Sequence, residues 1–218
     1  MARHFKVVPL VHGAVLHEPE APIGSVYFPL SGAVSLLVVM KSGDAAEIAS
    51  VGREGAVGFC PRSGLWQART RALVQVPGFA KSIPSMVLGP ILGQSERIRD
   101  LMYRFQEAVW AQSLRIGACN ALHTVEQRAA RWLLQMSDRI DSPDVPVTQT
   151  VLAQMLGVRR TTVTFVAQKL HSEDVIRCRR GHISILKRES LQAIACECYD
   201  ALREDTLPDL GPVVRHTA

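Results

Sequence analysis

Long hydrophobic runs are scarce in this chain. The longest, VSLLVVM, is closed by Lys41, far short of the roughly 20 apolar residues that a membrane-spanning helix needs. Cysteine is also sparse: there are five, an odd number, scattered in position, which is no disulfide framework. The opening stretch MARHFKVVPLVHG has neither an apolar core nor a small-residue cleavage site, so export is not expected and the cytoplasm is the expected compartment. There is no His-x-His pair, no nucleophile elbow and no phosphate-binding glycine loop, which removes the usual signatures of several enzyme classes. Repeats and low-complexity segments are missing as well.

What is present reads as globular. The 218 residues are 47% hydrophobic and 21% charged, enough for one large or two small domains with real cores. The net charge of +5 is mild, but its placement is not. Residues 158–188 hold eight basic side chains (Arg159, Arg160, Lys169, Arg177, Arg179, Arg180, Lys187 and Arg188) against Glu173 and Asp174. A focused basic patch suits a phosphate backbone better than a diffusely high isoelectric point does.

Three textures follow one another. Residues 1–92 alternate short Val-, Leu- and Ala-rich runs with Gly and Pro turns, as an antiparallel barrel or roll does. Residues 93–120 contain no proline and predict one long helix capped by Ser95. On it Ile98, Leu101, Met102, Phe105, Val109 and Ile116 form a stripe at helical steps, expected to be a homodimer seam. Residues 121–205 begin with Thr124 and Gln127 in capping-box spacing. They continue through the loop DSPDVPV and a short helix capped by Thr148, then a second helix within LGVRRTTVTFVAQKL, residues 156–170. A hairpin turning at Arg180-Gly181 follows, and a final amphipathic helix is expected from Arg188 to Arg203. Residues 206–218 read as a loosely ordered tail.

In LAQMLGVRRTTVTFV, Ala153, Gly157 and Val163 have the residue types that a helix-turn-helix requires at that spacing. The small Ala permits close helix approach, Gly takes a positive φ in the turn, and Val fills the space between helices. With a capped helix before it, a hairpin after it and the basic patch around it, this spells a winged helix-turn-helix. On the second helix Val163, Val166 and Leu170 cluster on one face, while Arg160, Thr161, Thr164, Phe165 and Gln168 occupy the opposite arc.

The order of these parts resembles the Crp/Fnr family of bacterial transcription regulators. The resemblance covers roughly residues 10–200. It is carried by VYFPLSGAVSLLVVMKSGDAAEIASVGREGAVG, CNALHTVEQRAARWLL and VTQTVLAQMLGVRRTTVTFVAQKL. It implies an α+β fold: a cyclic-nucleotide-binding-like, jelly-roll sensor, a dimerisation helix and a C-terminal winged helix-turn-helix. It also implies a homodimer on double-stranded DNA, with RNA polymerase as a candidate partner, no cofactor and no membrane. Base reading falls at Arg160, Thr161, Thr164, Phe165 and Gln168. Thr148, Arg159, Lys169, Arg179 and Arg180 are expected on phosphates.

Nucleotide-binding members of that family follow the roll glycines with Gly-Glu-aliphatic and then an Arg-Ser or Arg-Thr pair. Here Phe59 follows Gly58, and Arg62-Ser63 and Arg69-Thr70 each imitate the pair at an awkward spacing. These six residues mark the expected effector pocket, and cyclic AMP is not the expected effector. Rival readings are a metal-dependent cupin-like enzyme, which would gather several histidines on the roll, and a redox- or haem-responsive sensor using Cys60 or His12 and His17. Cys119 and His123 read as hinge packing. Cys196 and Cys198, about 200° apart on a continuous helix, are not expected to share a ligand.

Overall fold

Alternating apolar residues punctuated by glycine and proline turns shape the first half of the chain into antiparallel strands. The computed structural model describes residues 4–59 and 67–206. The strands are β1 (Lys6–Leu10), β2 (Val15–His17), β3 (Ser25–Pro29), β4 (Ala33–Val39), β5 (Ala45–Val51), β6 (Arg71–Val76) and β7 (Gly78–Pro84). They pair in two sheets, ordered β1-β7-β3 and β2-β6-β4-β5. Leu10, Val34, Val51 and Val74 meet in one buried cluster, and Val26 and Ile83 in a second. No described helix is long and apolar enough to cross a membrane.

Two helices follow, α1 (Ser85–Gln94) and α2 (Glu96–Leu122). Helix α1 is a departure from the expected pattern, since Gly89, Pro90 and Gly93 read as turn residues. Its Leu88 is buried against Val26, Ile83 and Met102, and that packing outweighs the weak local propensity. Helix α2 starts as expected, with Ser95 Oγ accepting from the Ile98 amide.

Part of the stripe expected to form a dimer seam packs on the roll, while its Leu101 stays 37% exposed and Val109 half-buried. Met102 is buried with Val26 and Ile83, and Ile98 and Phe105 pack against that cluster. Phe105 lies so close to Gly55 that a Cβ there would sit 2.0 Å from its ring. Ile116 is buried beside Cys119 and Leu202, and Gln112 Oε1 accepts from the Ser50 amide at 2.6 Å. The roll claims this face because its own strands expose an apolar surface that needs cover. Another flank of α2 stays partly open: Trp110 is 65% exposed and Leu114 57% exposed, with Tyr103, 43% exposed, two turns before Trp110.

The rest of the chain is α3 (Val125–Ile140), β8 (Asp144–Val145), α4 (Gln149–Leu156), α5 (Arg160–Ser172), β9 (Ile176–Arg179), β10 (His182–Ile185), α6 (Arg188–Ile194) and α7 (Cys198–Thr206). The capping box on α3 forms in both directions between Thr124 and Gln127. One apolar core runs from Leu37 and Ala45 of the roll through Trp132 and Leu133 of α3 to Val163 and Leu170 of α5. The final helix is broken, unlike the expected single helix. Ala195 adopts φ −63°, ψ 151° and ends α6. The two pieces serve different partners: Leu191 of α6 joins the core around α3, whereas Leu202 of α7 packs with Ile116 of α2.

Candidate nucleic-acid interface

The turn between α4 and α5 begins with a helix capped by Thr148, whose hydroxyl accepts from the Val151 amide. Gly157 ends α4 at φ 62°, ψ 38°, a left-handed conformation that costs an L side chain about 1–2 kcal/mol. The Val158 amide returns to Ala153 O at 3.0 Å, which closes the turn. Ala153 and Val163 are both buried where the two helices cross. The residue types at 153, 157 and 163 therefore take the places expected of them.

Helix α5 divides cleanly. Val163, Val166, Ala167 and Leu170 are buried, while Arg160, Thr161, Phe165 and Gln168 are exposed. Phe165 is 71% exposed, an unusual setting for a ring that the core could have used. Thr164 is half-buried, its hydroxyl donating to Gln149 Oε1 at 2.9 Å. Gln149 had no signal in the sequence beyond its place after the Thr148 cap.

Beside this face, β9 and β10 form a hairpin with β8 on its far edge. Arg180 and Gly181 both take positive φ, 23° and 88°, as a two-residue hairpin turn with strand-matching twist demands. Arg179 and Arg180 are exposed at this tip, and Arg159 is exposed at the head of α5. Lys169 is engaged: its ammonium lies 2.8 Å from Glu126 Oε1, so contact with a phosphate would compete with that carboxylate.

The expected effector residues are partly gathered. Arg62, Ser63 and Cys60 lie outside the described residues. Gly58, Phe59, Arg69 and Thr70 line a cavity of about 380 Å³ between the roll and α2, with Phe105, Val109 and Trp110 on the helix side. His17 also lines it; its buried Nδ1 has no hydrogen-bond partner, and burial pushes its pKa down against the pull of Glu18. No carboxylate faces the cavity among the described residues. His12 instead places Nδ1 2.8 Å from Gln75 O.

A family model described as the Crp-like helix-turn-helix domain matches residues 127–194. The chain carries a Crp-like helix-turn-helix domain. Solved structures extend the likeness to the roll and long helix. FixK2 from Bradyrhizobium japonicum is 16% identical with a TM-score of 0.74, covering 88% of this chain and 98% of its own. A CRP-family transcriptional regulator from Thermus thermophilus is 15% identical with a TM-score of 0.74, covering 86% and 96%. A CRP/FNR-family regulator from the same organism is 22% identical with a TM-score of 0.71, covering 87% and 98%. No curated protein sequence matches the chain. The α+β architecture is thus the Crp/Fnr one, and the open face of α5 lies within its Crp-like domain.

Proposed function

We propose that this protein is a homodimeric, sequence-specific DNA-binding transcription regulator of the cytoplasm, with the roll as its sensory part. The observation that carries the reading is the open face of α5: Arg160, Thr161, Phe165 and Gln168 are exposed, as are Arg179 and Arg180 at the hairpin tip. A helix of this kind fits the major groove, where side chains meet base edges. Arg160 can grip guanine through O6 and N7, and the Thr161 methyl and Phe165 ring suit the thymine methyl. Arg159, Arg179 and Arg180 would meet phosphates, together with the head of α4 at Thr148. Two copies joined along the open face of α2, through Tyr103, Trp110 and Leu114, would present two reading helices to a two-fold symmetric site. RNA polymerase is the further partner such a regulator would meet.

The cavity between roll and α2 is the proposed effector pocket. With no carboxylate among its described lining residues and Arg69 on its wall, it suits an effector other than cyclic AMP.

Selection of bound duplexes from random DNA tests the function. Enrichment of a two-fold symmetric sequence supports the proposal, and recovery of unselected DNA overturns it.

A further inference from the structure

The break between α6 and α7 brings together four side chains that are scattered in sequence. Cys119 in the last turn of α2 and His123 at its end meet Cys196 in the α6–α7 link and Cys198 at the first position of α7. Their ligand atoms, three Sγ and one imidazole nitrogen, all lie within 4.8 Å of one another. Cys119 Sγ is 3.5 Å from Cys196 Sγ, and Cys198 Sγ is 3.7 Å from His123 Nδ1. A tetrahedral ion with bonds of about 2.0–2.3 Å sets its ligand atoms roughly 3.3–3.8 Å apart. These two separations match the edges of such a tetrahedron.

We propose that Cys119, His123, Cys196 and Cys198 bind one zinc ion. Three thiolates and one imidazole form a closed set of the kind that holds structural zinc, with no position left for a substrate. The expectation that Cys196 and Cys198 point apart required a continuous helix, and the break at Ala195 removes that premise.

The surroundings fit a metal better than plain packing. His123 turns Nδ1 toward the thiols and places Nε2 3.1 Å from Glu197 Oε1, the carboxylate–imidazole arrangement that orients histidine on a metal. All three cysteines are buried, Cys119 completely, with half-buried His123 at the rim of the site. Arg128 and Arg131, both buried, bring positive charge toward the thiols, offsetting the net negative charge of three thiolates around a dication. The spacing has room for a single ion at the centre, not for a multi-iron cluster.

The position gives the ion a structural task. Cys119 and His123 flank the point where α2 hands over to α3, and the Cys196–Cys198 segment joins the last two helices. One ion would pin α7 to α2 and fix the joint between the long helix and the Crp-like domain. The site is separate from the effector cavity and the reading face, so it stands whether or not the proposed function does.

The test uses the full-length protein purified under reducing conditions. Elemental analysis should find one zinc per chain. Cobalt exchanged for zinc should give the intense visible absorption of a tetrahedral thiolate complex. Cys196→Ser/Cys198→Ser should abolish both signals. The milder Glu197→Gln should keep the fold by circular dichroism while weakening zinc binding by about 10–100-fold in chelator competition. Metal-free protein with freely titrating thiols, a Cys119–Cys196 disulfide in place of metal, a cluster containing iron, or cobalt absorption unchanged by the double substitution would each overturn the proposal.

Discussion

The indole Nε1 of Trp132 donates to Oε1 of Glu47 across 3.0 Å, a buried bond that ties α3 of the Crp-like domain to β5 of the roll. Arg139 reinforces it nearby, donating to Ser50 O at 2.9 Å and pairing with Glu54 at 3.3 Å. The Crp-like domain is therefore held to the roll by named polar contacts as well as by the shared core. Trp132→Phe keeps one aromatic ring but removes the donor together with the pyrrole half of the buried indole. It should destabilise the protein by about 1–3 kcal/mol, because the Glu47 carboxylate loses a partner in a buried setting. Urea unfolding would measure this, and an unchanged midpoint would contradict it.

Glu47 also sets a pH dependence. Burial pushes its carboxyl above the ordinary range, against opposing pulls from Ser35, Arg131, Arg139 and Trp132. A folded pKa above the unfolded one means that ionising Glu47 costs folding free energy. Its contribution is most favourable below the unfolded pKa and is lost as pH rises through the folded pKa. Glu47→Gln should flatten that decline in unfolding midpoints followed upward from about pH 4. A variant that keeps the full decline would show that another group is responsible.

Oligomerisation should depend on one face of α2 and not the other. Trp110→Glu together with Leu114→Glu should leave a folded monomer, since each large apolar side chain withdrawn from a seam forgoes roughly 1.5–3 kcal/mol. Phe105→Asp should damage the roll itself, given the ring's contact with Gly55. Light scattering and circular dichroism separate the two outcomes. A dimer that survives the Trp110 and Leu114 changes would place the seam elsewhere.

Cyclic AMP at physiological concentration should leave DNA affinity unchanged. Calorimetry would detect an interaction, and micromolar binding would contradict the reading of Phe59 in place of a ribose-holding carboxylate.

Local chemistry made much of this legible in the sequence. The Thr124–Gln127 box, the Thr148 cap, Gly157 and the Arg180-Gly181 turn each depend on a few adjacent residues, and each forms where its residue types require. Helix α2 was harder to orient because it is apolar on two faces. Periodicity finds Met102, Phe105 and Ile116 as readily as Trp110 and Leu114, and only the roll decides which set is buried. The α6–α7 break carries no glycine or proline. It arises because Leu191 and Leu202 are drawn to different helices, a tertiary competition that no local pattern records. The meeting of Cys119 with Cys196 follows from that break and was equally hidden.

The central claim is that Arg160 reads a base while Arg179 meets the backbone. The most direct measurement compares affinities of wild type, Arg160→Ala and Arg179→Ala for the selected site and for random DNA over a salt series. Arg160→Ala should lose about 1–3 kcal/mol on the selected site and relax specificity at one base position. Arg179→Ala should weaken all sequences alike and lower the salt slope by about one. Equal losses on selected and random DNA for Arg160→Ala would make it a phosphate contact and contradict the assignment of α5 as the reading helix.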